Sequence, residues 1–373
     1  MNPTAEIVEH LLSACIAADG SDLHLSPGLP PHIRIHGELA PLTGEPIYSG
    51  ETLARIGGEL LRHMGGAGEI GDMPRGSRDG AITSAGGVRF RFNVYRRQNE
   101  TALALRRLED RFRSLEELGL PECLLQFAGM RDGLVIVSGT TGAGKSTTLA
   151  TLLDHVNRNR SGHIITIEDP IEYLHTPVRC VVNQRQVGLD APTFNDALVA
   201  SLRQDPDVVL VGEVRDLDTI RTAITAAETG HLVFTTLHAG DCVGSIERLV
   251  SVFPADEQDG IRRQLSLVLR GIVAQRLLPV TSENTRVRRI PCSEILINTP
   301  AVANLIATCK STQIYSAMET GTSLGMQTFE QDLARLWVSG RISEATALAM
   351  ARNPNILRER AANLRQPWNG GGK

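Results

Sequence analysis

Apolar residues Ile7, Val8, Leu11, Leu12 and Ile16 recur at helical spacing and the pattern stops at Asp19-Gly20, which predicts an amphipathic helix over residues 5–18 closed by a turn. The period then shortens to two. Residues 22–26, 33–36 and 88–95 alternate apolar with polar, the last setting Val88, Phe90, Phe92 and Val94 against Arg89, Arg91 and Asn93, as in strands with one covered face. Between them, residues 65–87 are dense in glycine and short polar side chains and predict loops and a hairpin. Further on the runs become continuous rather than alternating: 134–137, 164–167, 208–211 and 232–236 are mostly apolar, broken only by threonines, and are interspersed with helical stretches at Lys145 and 219–229. Strands of that kind are covered on both faces, so the pattern predicts a mostly parallel sheet with helices on each side. Beyond Arg262 the pattern reads as helical.

The expected organisation is an α+β domain over 1–110, a charged linker at 111–121, an α/β domain with a helical C-terminal part over 122–364, and a polar, disordered tail at 365–373. A chain of 373 residues agrees with about two domains. Composition narrows the function. At 42% hydrophobic, 21% charged and a formal net charge of −4, the chain reads as an enzyme and lacks the basic excess of a nucleic-acid binder. No apolar stretch approaches the ~18 to 20 residues of a membrane span, and Glu6, Glu9 and Asp19 stand where a signal peptide needs basic and then apolar residues, so a cytoplasmic location is expected. The six cysteines form no C-x-x-C pair, which argues against a zinc ribbon or a disulfide framework.

The chemistry is concentrated at Gly139, Thr140, Thr141, Gly142, Ala143, Gly144, Lys145 and Ser146, followed by Thr147. This is the full G-x-x-x-x-G-K-[ST] pattern between a predicted strand and a predicted helix. Glycines let backbone N–H groups close around phosphate oxygens, the helix start offers its positive end, and Lys145 neutralises charge between β- and γ-phosphates. Ser146 is placed to ligate Mg²⁺. The predicted ligands are ATP and Mg²⁺.

Two further strand ends carry acids. Residues 207–216 deliver Glu213 at the carboxyl end of an apolar strand, where open α/β sheets bind ligands, and Glu213 is the candidate to orient or deprotonate the attacking water. Gly212 stands where many such enzymes hold a metal-shell aspartate, so another carboxylate is needed. Glu168, Asp169 and Glu172 follow the strand 164–167, and Glu168 and Glu172 are candidates for the metal shell, partly through water, with Glu172 also a candidate catalytic acid. His231 and His238 bracket the run 232–235, so only one of them can readily face the phosphates.

These four segments together resemble the secretion-ATPase superfamily of type II and type IV secretion and type IV pili. The shared strings include Ile-Glu-Asp-Pro-Ile-Glu-Tyr at 167–173, Val-Asn-Gln-Arg at 182–185, Gly-Glu-Val-Arg-Asp at 212–216, Thr-Ala-Ala-Glu-Thr-Gly-His at 225–231 and Ser-Leu-Gly-Met-Gln-Thr-Phe at 323–329. Within it, the chain is most similar to the pilus retraction, or twitching-motility, branch. The resemblance implies a RecA-like P-loop core behind a PAS-like N-terminal domain, which the strings 21–25 and 28–31 resemble at its start. It further implies a homohexamer whose ATP hydrolysis drives pilus retraction at the inner-membrane platform protein, with a paralogous pilus ATPase as a possible companion and no nucleic-acid partner. By position it assigns Glu172 and Glu213 as catalytic acids, His231 rather than His238 as the histidine-box residue, and Arg91 and Arg106 as the arginines directed at the phosphates. The tetracysteine zinc element of extension ATPases is missing, so no zinc is expected. The Ala-Ile-Arg-Asn-Leu-Ile-Arg-Glu string of retraction motors appears here as Ala-Val-Ala-Asn-Leu-Ile-Ala-Thr at 301–308, which keeps an accessory paralogue or a secretion or conjugative-pilus ATPase as the alternative. A nucleic-acid translocase on the same core would need basic, aromatic-bearing loops, and aromatics are only 4% of the chain.

Overall fold

The computed structural model describes residues 3–35, 38–62, 76–108, 111–281 and 289–365. The chain divides into two compact units: Met1–Arg111 with Asp169–Leu174 and Gln186–Pro192, and Phe112–Glu168 with His175–Arg185 and Thr193–Lys373. The predicted tail beyond Arg365, residues 65–75 of the glycine-rich segment, and His36 lie outside the described residues.

The first unit runs α1 (Pro3–Ala17), β1 (Asp22–Leu25), β2 (His32–Ile35), β3 (Glu38–Pro41), α2 (Gly50–Arg62), β4 (Ser77–Thr83), β5 (Arg89–Arg97) and β6 (Glu100–Arg107). The strands form one antiparallel sheet in the order β3-β2-β1-β6-β5-β4. The alternation in β5 does what it predicts: Phe90, Phe92 and Val94 are fully buried among Leu11, Leu12 and Cys15 of α1 and Leu53, Ile56 and Leu60 of α2. Each such aromatic side chain contributes about 1.5–3 kcal/mol by leaving water.

The second unit begins with α3 (Leu115–Leu118) and α4 (Leu125–Ala128). The segment read as a linker therefore contains a helix, closed at its start by a reciprocal Ser114–Glu117 capping box. Leu115 and Leu120 enter the core with Leu124 and Phe127. There follow β7 (Gly133–Ser138), α5 (Lys145–Asn159), β8 (Gly162–Glu168), β9 (Cys180–Gln186), α6 (Phe194–Ser201), β10 (Val208–Val211), α7 (Leu217–Glu228), β11 (Leu232–Leu237), α8 (Cys242–Ser251), α9 (Gln258–Val268), β12 (Leu269–Pro279) and β13 (Arg289–Ile297). Among the described residues, β13 is followed by the α-helices α10 (Pro300–Ala307), α11 (Ile314–Thr320), α12 (Phe329–Val338), α13 (Glu344–Met350) and α14 (Pro354–Arg365).

The sheet order is β13-β12-β7-β11-β10-β8-β9. From β12 to β8 neighbours are parallel, and β13 is antiparallel to β12. Every residue of β7, β10 and β11 is buried, as continuous apolar runs require.

The helical reading beyond Arg262 is corrected by β12 and β13. A strand buried on both faces carries no alternation and cannot be told from a buried helix by its period. The tertiary reason for a strand is visible at Gly271, where a Cβ would lie 2.4 Å from the Phe127 ring. Only a side-chain-free residue lets β12 slide beside β7 over that ring.

Candidate active site

The phosphate loop joins the carboxyl end of β7 to the start of α5, and Gly139 N donates to Leu237 O of the adjacent β11 at 3.2 Å. Gly139 has φ of 150°, and a Cβ on it would meet Gln275 O at 2.5 Å and Ala143 Cβ at 2.8 Å. Gly144 caps α5 in the left-handed region at φ of 90°, with no side-chain capping bond. A glycine cap offers no hydroxyl or carboxylate of its own, so the cap residue does not screen the positive end of α5. Thr140, Thr141, Gly142 and Ser146 are exposed. Lys145 Nζ donates to the carbonyls of Gly139 (3.0 Å) and Thr140 (3.1 Å), wrapping its own loop around a cationic centre. These features fit a polyphosphate.

Strand order decides what else faces it. β11 lies between β7 and β10, so the residues that follow β11 are nearer the loop than those that follow β10, by one strand spacing of about 4.8 Å. His238 follows β11 directly. Its Nε2 lies 3.7 Å from Glu213 Oε2, while Glu213 Oε1 is held by Arg215 Nε at 2.8 Å. Burial, reinforced by the positive charge of Lys145, holds the His238 imidazole below its ordinary value despite the opposing pull of Glu213. Glu213, His238 and Lys145 therefore act on one another at the carboxyl edge of the sheet.

His231 is at the other end of β11, seven residues and roughly 20 Å of extended chain away. Its Nδ1 lies 2.9 Å from Ala226 O and 3.2 Å from Thr229 Oγ1. Parallel β7 and β11 put Leu237 beside Ser138 and Leu232 beside Gly133, so within this chain His238 shares an edge with the loop and His231, the residue the family resemblance favours, lies at the opposite end of the strand.

Gly212 also gains a reason. A Cβ there would lie 3.1 Å from Ile167 O and 3.4 Å from Glu168 Cα, and Gly212 N donates to Ile167 O at 2.7 Å. An aspartate at this position would have to push the end of β8 aside. Glu168 accepts from Thr166 Oγ1 (2.6 Å) and Gln184 Nε2 (3.3 Å) at the β8–β9 edge. Among the described residues no cluster of three or more His, Cys, Asp or Glu side chains is arranged as a metal cage. A magnesium ion that takes most of its ligands from phosphate and water needs none.

Glu172, Arg91 and Arg106 belong to the first unit. Arg91 and Arg106 face each other across β5 and β6. Arg106 Nε donates to Asp22 Oδ1 at 2.8 Å, and Arg91 lies 3.8 Å from Asp79 Oδ1. Burial works to raise the Asp22 carboxyl, but its bonds from Arg106 and Ser21 prevail and hold it below its ordinary value.

Sequence reasoning passed over Gln275, which is 2% exposed with an Oε1 that lacks a hydrogen-bond partner, close under the phosphate loop. Its signal was an amide directly after the apolar run 272–274.

Fold and site together define a P-loop ATPase in which a strand followed by His238 separates the phosphate-loop strand from the strand that leads to Glu213. The chain belongs to the Type II/IV secretion system protein family, whose model matches residues 2–337. Among its relatives are the type IV pilus retraction ATPase PilT of Pseudomonas aeruginosa, 41% identical over 93% of this chain and 98% of the relative, and the type IV pilus ATPase PilU of the same organism, 40% identical over 94% and 90%. A crystal structure of the pilus retraction motor PilT with bound ADP superposes with a TM-score of 0.84 at 38% identity, covering 94% of this chain and 99% of the other. The α/β, two-domain ATPase architecture read from the sequence is the one found.

Proposed function

We infer that this chain is an ATP-hydrolysing motor of a type IV pilus, acting in retraction and twitching motility. The observation that carries the chemistry is the convergence of Lys145, His238 and Glu213 on one sheet edge beside an uncapped helix start. The near full-length similarity to PilT supports the biological role.

Lys145 exchanges the carbonyls of Gly139 and Thr140 for β- and γ-phosphate oxygens, and the amides of the loop and the first turn of α5 hold the rest. Mg²⁺ neutralises phosphate charge when bound; Ser146 is the hydroxyl that would hold it, with Glu213 acting through water. Glu213 accepts the proton of the attacking water, while Arg215 holds one of its oxygens and His238 lies 3.7 Å from the other. His238, neutral near pH 7, can donate a hydrogen bond without adding a charge that would compete with Lys145. Glu172 is assigned a second catalytic carboxylate, and Arg91 and Arg106 the neutralisation of charge at the breaking bond, on the family resemblance. The same resemblance supports a cytoplasmic homohexamer at the inner membrane, working on the platform protein.

Glu213→Gln tests the chemistry. It should keep nucleotide binding and lose at least about a hundredfold in phosphate release; undiminished turnover would remove Glu213 from its role. Deletion of the gene tests the biology: hyperpiliated cells that do not twitch indicate retraction, and bald cells indicate extension. An accessory role is the second reading. Helix α10 carries Ala303 and Ala307, and its C-cap is Thr308, where retraction motors have arginine, arginine and glutamate, and PilU is as similar as PilT. Loss of force with twitching retained in the deletion strain would favour it.

A further inference from the structure

The residues just after His238 are gripped by side chains from three distant parts of the second unit. Arg276 of β12 donates to Gly240 O at 3.1 Å and to Met350 O, at the end of α13, at 3.3 Å, and its guanidinium lies 4.3 Å over the Phe329 ring of α12. Arg352, just beyond α13, pairs with Asp241 Oδ2 at 2.5 Å and stacks 4.6 Å over the Tyr315 ring of α11. The Arg352 N–H is itself fixed by Glu330 Oε1 of α12 at 3.0 Å. Glu294 of β13, fully buried, accepts from Cys242 N at 2.8 Å. Asp241 also caps α8 through Gly244 N.

Each of these contacts has an ordinary packing role, but their distribution is not ordinary. Two arginines each touch the four-residue segment 238–241 with one part and the C-terminal helices with another. A planar guanidinium suits this, because it can bond at its edge and stack on its face at once. We propose that Arg276 and Arg352 are positioning residues for hydrolysis, which clasp the segment 238–241 to helices α11–α13 and thereby set the distance of His238 from Glu213. The clasp rests on the hydrolysis site described above and adds to it a mechanical link: the C-terminal helices and the histidine move as one body. Displacement of those helices, by a neighbouring subunit or by the driven load, is then felt at the reacting phosphate through His238.

The test uses the full chain and steady-state ATP turnover, with nucleotide affinity from calorimetry. Arg352→Gln should lower kcat about tenfold, with KM changed less than about twofold, because the misplacement affects the reacting geometry and not the phosphate loop. Asp241→Asn, which keeps a good N-cap and loses only the ionic partner, should give the same loss. The two together should be no worse than either alone. Arg352→Lys should recover part of the rate. The decisive measurement is in a His238→Ala background, where Arg352→Gln should cost nothing further, whereas a residue that merely holds the fold would multiply the loss. Multiplicative losses, or a KM that rises in step with falling kcat, would overturn the clasp. If Arg352→Gln does not fold, Asp241→Asn in the two backgrounds carries the same test. Normal turnover in His238→Ala would also overturn it, while an inactive Glu213→Gln would leave the ATPase reading intact.

Discussion

Acidification from pH 7 to 4.5 should remove about 2.5 kcal/mol from the second unit through a single side chain, His175. Its ring stacks on Phe112 at 4.6 Å and 27°, the residue is 9% exposed, and Nδ1 has no hydrogen-bond partner. Burial lowers its pKa from 6.5 to about 4, against a weak opposing pull from Asp154. The folded value lies below the unfolded one, so the unfolded chain takes up the proton first. Stability from this residue is therefore complete above pH 6.5, falls as pH drops through that value, and stops falling below about 4. At about 1.4 kcal/mol per pH unit, rounded off at both ends, the interval from 7 to 4.5 gives the 2.5 kcal/mol stated. His175→Phe keeps the stack and the bond from the residue 175 main-chain N–H to Gln184 Oε1, now 2.8 Å, but has no proton to bind. Urea unfolding, read by hydrogen exchange of β7 and β8 amides, should show the wild type losing about 2.5 kcal/mol more than His175→Phe between the two pH values. Every other titrating group is common to both proteins and cancels in the difference. Equal losses would refute the reasoning, since they would mean that the ring is protonated in the folded state at its ordinary pH.

Gly139→Ala should weaken nucleotide binding at least about tenfold, because its Cβ would overlap Gln275 O and Ala143 Cβ in a backbone region that alanine disfavours; normal affinity for a fluorescent nucleotide would contradict this. Lys145→Ala should abolish binding by calorimetry, as no other side chain of the loop carries positive charge; unchanged affinity would count against it. His238→Ala should slow turnover more than about tenfold and His231→Ala less than about twofold. The reverse order would restore His231 to the phosphates and show that a neighbouring subunit supplies it.

What the amino-acid order determined is chemistry that is contiguous in the chain. The phosphate loop is eight successive residues whose types serve one local shape, so it was legible without any fold, as were the strands β7, β8, β10 and β11 from their continuous, mostly apolar runs. Glu213 was legible because it ends such a strand. Strand order was not written there. Whether His231 or His238 meets the phosphates depends on β11 running parallel to β7 with Leu237 beside Ser138, a pairing between residues about a hundred positions apart. Family resemblance pointed to His231, and the register places His238 at the loop's edge of the sheet. Strand β12 was misread because a strand covered on both faces has no period of its own, and its identity lies in its pairing with β7 and β13, which the Phe127 ring under Gly271 makes sterically possible. The two arginines that reach the segment 238–241 were likewise invisible, since each is one arginine among many until folding carries Arg276 and Arg352 to Gly240 and Asp241. Local shape follows from local residue types; which edges meet is fixed only when burial selects one packing for the whole chain.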